Sequence, residues 1–165
     1  MSGIRSTNSR VGNLAPDFEL PALIGGVKKR FRLSEWRDRK NLLVAFYPLN
    51  WDVVSARQLR QYQAEAARLA TAESMVVTIS VDSIMNTTAW ERDIGPFDFI
   101  LCSDFWPHGE VSRAYGVFRA EGPQAGTTER ALFLVDRAGV IQFRRIYEDE
   151  EIPTLEEALG ALTNR

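Results

Sequence analysis

Two apolar runs of strand length, NLLVAFYP (residues 41–48) and MVVTISVD (75–82), bracket a long mixed segment, SARQLRQYQAEAARLATAES (55–74). NLLVAFYP is a continuous apolar run, the pattern of a strand covered on both faces, and MVVTISVD reads as the next buried strand. Between them Leu59, Tyr62, Ala66 and Leu69 recur at helical spacing, with arginines and glutamates on the other face. Buried strands joined through a helix make a parallel β-α-β unit, and this unit constrains the fold more than any other feature of the chain.

The remaining segments extend that unit. DFELPA and FRLSEW flank IGGVKK, whose glycine pair and lysines suit a hairpin turn. SIMNTTAWERDIG reads as a helix closed by Gly95 and Pro96. FDFILCSD (97–104) predicts a short strand, GEVSRAYGV (109–117) a short helix, and RAEGPQAGTTE a turn-rich loop. RALFLVDRAGVIQFRRIYE holds two strands around an Ala-Gly turn, and PTLEEALGAL is an amphipathic helix that begins at proline. Parallel β-α-β units followed by a terminal hairpin and helix predict a thioredoxin-like α/β sandwich. It is expected as a single domain over residues 11–165, behind a polar, disordered leader at 1–10.

Composition narrows the function classes. A formal net charge of -2 gives no electrostatic reason for a nucleic acid or an anionic membrane as partner. The longest apolar runs, such as LLVAFY and ALFLV, are far short of a membrane span, and the first residues lack the apolar core of a secretory signal. A soluble, cytoplasmic protein is expected. Cys102 is the single cysteine, which excludes an intrachain disulfide and a CxxC redox pair. With one histidine beside it, a protein-ligated zinc site is not expected either, and no metal or cofactor is predicted.

Several segments in order resemble one family. VGNLAPDFELP is similar to the opening of the peroxiredoxins, in the alkyl hydroperoxide reductase C/thiol-specific antioxidant group. FYPLNW resembles the strand and proline before their active-site loop, and ISVDSIMNTTAW their third strand and following helix. SDFWPHGEVSRAYGVF is especially similar to the one-cysteine alkyl hydroperoxide reductase E type. ERALFLVDRAGVIQF resembles the strand that brings an arginine to the active site. The resemblance spans about residues 11 to 163.

The resemblance also assigns positions. The family's peroxidatic motif is a proline, a threonine or serine four residues later, and a cysteine three beyond that. Counted from Pro48, the threonine position holds Asp52 and the cysteine position holds Ser55. Gln58 stands where many relatives carry glutamate or glutamine, and Arg130 matches the active-site arginine. The resemblance thus implies a chain of antioxidant lineage, acting on hydroperoxide with an external thiol reductant if active, and a homodimer with Trp51 and Trp106 near the contact.

The two changed positions carry the chemistry. In the family a cysteine at a helix N-terminus is held as thiolate, attacks the peroxide O–O bond and becomes a sulfenic acid that a thiol reduces. A serine hydroxyl is harder to deprotonate, is a weak nucleophile without a base, and has no matching oxidised state. Thiol peroxidase activity at Ser55 is therefore expected to be absent. A carboxylate at Asp52 would repel a thiolate and raise its pKa, and it is placed to pair with Arg130. Ser55 is read either as a cysteine-to-serine substitution in an active one-cysteine enzyme or as natural degeneracy. Asp52 favours degeneracy, since trapping a reactive cysteine needs no change there. A third reading is a non-catalytic dimeric binding or scaffold protein that keeps the pocket.

Other residues carry blander expectations. Cys102 lies in an apolar strand and is expected to be buried with little thiolate character. His108, in WPHG, is expected to be a hydrogen-bonded structural residue. A hydrolase triad with Ser55 is not expected without a G-x-S-x-G elbow. Trp51, Trp106 and His108, with Gln58, are candidates for a substrate pocket or an interface. EDEE (148–151) reads as a solvated loop, and Gly25 and Gly26 as turn residues rather than a phosphate cradle.

Overall fold

The computed structural model describes residues 9–71 and 73–163 of the chain. Its strands are β1 (Glu19–Ile24), β2 (Val27–Arg32), β3 (Asn41–Phe46), β4 (Ser74–Ser80), β5 (Ile100–Ser103), β6 (Arg130–Val135) and β7 (Ile141–Tyr147). The helices are α1 (Val53–Ala64), α2 (Ala66–Thr71), α3 (Ile84–Ile94), α4 (Glu110–Ala114) and α5 (Leu155–Thr163), and one 3-10 turn spans Leu33–Trp36. The seven strands form one sheet in the order β2-β1-β5-β4-β3-β6-β7. β3, β4 and β5 run parallel, and the remaining pairings are antiparallel. The sheet with helices against it is the expected thioredoxin-like α/β fold.

Alternation along β3 divides the core. Leu42, Val44 and Phe46 join one apolar cluster with Phe31, Ile79, Tyr115 and Phe133. Leu43, Ala45 and Tyr47 join a second cluster with Leu59 and Tyr62 of α1, Trp90 of α3 and Leu155 of α5. Both faces of β3 are thus covered, which is why its sequence is apolar without interruption. Among the described residues no helix is long and apolar enough to cross a membrane.

Several boundaries differ from the sequence expectation. The first hairpin turns on Gly25 and Gly26 alone, both at positive φ (60° and 76°), so the lysines of IGGVKK belong to β2. The helix expected over 55–74 starts earlier, because Asp52 caps it, and divides at Glu65, whose amide is shared among the Gln61, Tyr62 and Gln63 carbonyls. The strand expected over 97–104 is confined to β5. Phe97 and Phe99 stack at 4.9 Å, and the Asp98 amide donates to the Gln63 side chain, so this segment does not join the ladder. The last helix starts two residues after Pro153, not at it. Residues 1–8 of the expected leader lie outside the described residues, while Ser9 is buried and the Arg10 carbonyl accepts from the Asn13 amide.

Candidate active site

The loop between β3 and α1 is built by side-chain hydrogen bonds. Asn50, 5% exposed, accepts from the Tyr47 hydroxyl (2.6 Å) and donates to Asn86 (3.0 Å) and Thr87 (2.9 Å) of α3. Its amide donates to Asp82 Oδ2 at 2.8 Å. The loop therefore hangs from the β4–α3 junction rather than from its own turn residues. Trp51 adopts φ +70°, a conformation a bulky residue holds only when its surroundings impose it. The indole Nε1 donates to Asn86 Oδ1 at 3.0 Å, while 54% of the residue stays exposed.

The chain then enters α1 through Asp52, the N-cap, at φ -76° and ψ 132°. Asp52 Oδ2 accepts from the Ser55 amide at 2.9 Å and the Ser55 hydroxyl at 2.7 Å. Arg130, the first residue of β6, reaches the same oxygen with Nη2 at 3.1 Å. Its Nη1 donates to Ser55 Oγ at 3.1 Å and to Gln58 Oε1 at 2.6 Å. Gln58 in turn donates to the Tyr62 hydroxyl at 3.0 Å, one helical turn along α1. Arg130, Ser55 and Gln58 are all buried, so a guanidinium charge lies inside the fold with Asp52 as its counter-ion.

Burial pushes the Asp52 carboxyl up, but the hydrogen bonds from the Ser55 hydroxyl and amide and from Arg130 outweigh it and hold it below the usual carboxylate range. The site at neutral pH is a carboxylate–arginine pair with a serine hydroxyl bonded to both. Asp52 is a weak base, and it spends one oxygen on three donors. No thiol is near: Ser55 Oγ has Asp52 and Arg130 as its partners, and Cys102 lies buried in β5, paired with Ala22 of β1 and Ile79 of β4. Burial and the neighbouring Asp104 charge push the Cys102 thiol up.

The structure brings Pro48, Asp52, Ser55, Gln58 and Arg130 to one end of the sheet, with Trp51 on the connecting loop. Trp106 and His108 make other contacts. His108 Nε2 lies 2.7 Å from the Gly126 carbonyl and Nδ1 lies 3.2 Å from the Phe105 carbonyl, so it joins two loops and makes no bond with Ser55. A serine–histidine pair is therefore not formed. Trp106 is 80% exposed on the loop before α4. The acidic loop is not merely solvated: the Asp149 carbonyl accepts from Arg130 Nε at 3.2 Å, and the Asp149 carboxylate pairs with Arg119. Asn50 was not anticipated, Tyr62 was expected only on the apolar face of the helix, and Asp149 only in a solvated loop. An asparagine two residues after Pro48 was the one available signal, whereas a main-chain carbonyl has none. Among the described residues no group of three His, Cys, Asp or Glu is placed to hold a metal ion.

Comparison with known proteins identifies the family and the fold. Residues 11–144 match the model of the AhpC/TSA family. The chain is 36% identical over 156 residues to alkyl hydroperoxide reductase E of Mycobacterium tuberculosis, covering 93% of this chain and 97% of the relative. It is 28% identical over 159 residues to the chloroplastic 2-cysteine peroxiredoxin of Chattonella marina var. antiqua, covering 93% and 78% of the two chains. Among solved structures, AhpC of Enterococcus faecalis superposes with a TM-score of 0.82 at 25% identity, over 93% of this chain and 90% of that one. AhpC of Mycobacterium tuberculosis superposes with a TM-score of 0.80 at 24% identity, over 93% and 91%, a likeness of fold.

Proposed function

The chain belongs to the AhpC/TSA family of peroxiredoxins, and from that premise we propose that it keeps the family's peroxide pocket without its sulfur and is not a thiol peroxidase. Ser55 stands at the peroxidatic position, Asp52 at the threonine position, and Pro48 and Arg130 remain as the pocket's frame. The observation that carries this reading is the three-way contact of Ser55, Asp52 and Arg130. The hydroxyl that replaces the sulfur donates to a carboxylate at 2.7 Å and accepts from a guanidinium at 3.1 Å.

The chemistry follows from the atoms present. A peroxidase cycle breaks the O–O bond by transferring one oxygen to a thiolate sulfur, releases water or an alcohol, and returns the sulfur with two external thiols. An alcohol oxygen cannot accept that oxygen and be reduced again. Asp52 further occupies the Ser55 amide and Arg130 Nη2, donors that would otherwise hold an incoming oxygen. The remaining roles for the pocket are recognition and packing, in a homodimeric, cytoplasmic protein whose exposed Trp51 and Trp106 lie at or near a contact.

Peroxide consumption with an excess of a small thiol reductant tests this reading. The expected rate equals that of the reductant alone. A protein-dependent rate, and above all one that vanishes in Cys102→Ala, contradicts it.

A further inference from the structure

Arg130 is positioned from two sides. Inside, its Nη atoms meet Ser55, Gln58 and Asp52; outside, its Nε meets the main-chain carbonyl of Asp149. Asp149 lies in the turn after β7, and its carboxylate pairs with Arg119, a residue of the loop between α4 and β6.

Arg119 is itself fixed. Its side chain is 17% exposed and also donates to Gln124 Oε1 and to Thr127 Oγ1 (3.4 Å). Its amide donates to the Thr127 carbonyl at 2.8 Å, and its carbonyl accepts from the Gly126 amide at 2.7 Å, so the loop closes as a small hairpin. The bridge Phe118–Thr128 lies at its base, and His108 meets the Gly126 carbonyl at its far side. The acidic turn is tied to β7 and α5 through Arg145, which pairs with Glu151 and Glu157.

We propose that Arg119 and Asp149 act as a strut that sets where the Arg130 guanidinium sits, making both of them positioning residues for the Ser55–Asp52 site. Neither residue bonds to Ser55 or Asp52; Asp149 meets the site through Arg130 alone. An ion pair whose carboxylate is half exposed contributes little stability; its consequence here is geometric, because the carbonyl it places is the acceptor that orients Arg130 Nε. The inference goes beyond the proposed function and holds whether or not the pocket supports peroxide chemistry.

The titration of Asp52 reads the position of Arg130, because that guanidinium is one of the groups holding the carboxyl down. Carboxyl carbon NMR of isotope-labelled protein would follow the Asp52 midpoint in Arg119→Ala and in Asp149→Ala. Loss of charge alone predicts opposite shifts: upward when a cation is removed and downward when an anion is removed. The strut predicts an upward shift in both, no larger in the double variant than in either single one, and a return toward the parent midpoint in Arg119→Lys. Opposite shifts, or an unchanged midpoint in either single variant, overturn the proposal. Peroxide assays play no part in this test, so its failure is distinct from failure of the proposed function.

Discussion

Arg130 Nη1 lies 3.1 Å from Ser55 Oγ, a contact that joins the start of β6 to the first turn of α1 across 75 residues of sequence. The same guanidinium meets Asp52, Gln58 and the Asp149 carbonyl, so all three of its nitrogens are engaged. A buried cation held in this way is costly to disturb from either side.

Arg130→Ala is expected to lower unfolding free energy by about 3 kcal/mol or more, because it removes buried volume, strands the Gln58 carbonyl and leaves Asp52 without its counter-charge. Urea unfolding of the variant against the parent measures this. A loss below about 1 kcal/mol would show that the guanidinium contributes little net stability.

Asp52→Ala removes both the N-cap of α1 and the counter-charge of Arg130. The cap alone is worth about 1 kcal/mol. The charge adds less than a fully buried partner would, since the Asp52 side chain is 38% exposed, giving a total of about 2 kcal/mol. Asp52→Asn keeps a capping oxygen and is expected to lose less.

The pH dependence of that difference has a definite sign. Asp52 is held below its ordinary 3.8: burial raises it, and the Ser55 and Arg130 hydrogen bonds outweigh burial. A depressed carboxyl contributes stability that is fully present above the unfolded value and is lost as pH falls through the folded value. The stability gap between the parent and Asp52→Asn should therefore hold constant at neutral pH and narrow below 3.8. Urea titrations of both proteins across this range measure it; a gap that widens on acidification contradicts the assignment.

How much of this was legible in the sequence depends on the kind of interaction. β3 announced itself because a strand covered on both faces is apolar almost throughout, and β4 was legible from the apolar residues around its buried Thr78 and Ser80. Ser55 and Asp52 were assigned by the family motif that the resemblance supplies, counted from Pro48, and Arg130 by the resemblance around β6. The Asn50 network was not legible, since its partners Asp82, Asn86 and Thr87 come together only when α3 packs beside the loop. The contact from Asp149 uses a main-chain carbonyl, which no residue type advertises. Nor could periodicity reveal the short β5, because Phe97 and Phe99 are as apolar as strand residues yet stack on each other.

Asn50→Ala should expose how far the loop depends on that network. It leaves the buried Tyr47 hydroxyl and Thr87 without their Asn50 partner, a loss of about 2–3 kcal/mol. Hydrogen exchange at the amides of residues 49–52 should accelerate more than exchange in β3, and uniform acceleration would count against a local role.

Cys102 offers a check on the absence of an alternative thiol. Buried in β5 with its thiol pKa pushed up, it should resist a disulfide-exchange reagent in the native protein at pH 8 and react only after unfolding. Rapid native labelling would reopen the case for a redox role.

The central claim, that Asp52 as well as Ser55 separates this pocket from a peroxidase, is tested most directly by stopped-flow peroxide reduction in Ser55→Cys and in Ser55→Cys combined with Asp52→Thr. A carboxylate beside a thiolate raises its pKa, and a rise from about 7 to about 9 lowers the thiolate population at neutral pH from roughly half to roughly 1%, about 50-fold. The account predicts slow reaction in the single variant and an acceleration of that order in the double variant. A single variant already as fast as the double would contradict it, leaving the missing sulfur as the whole of the difference.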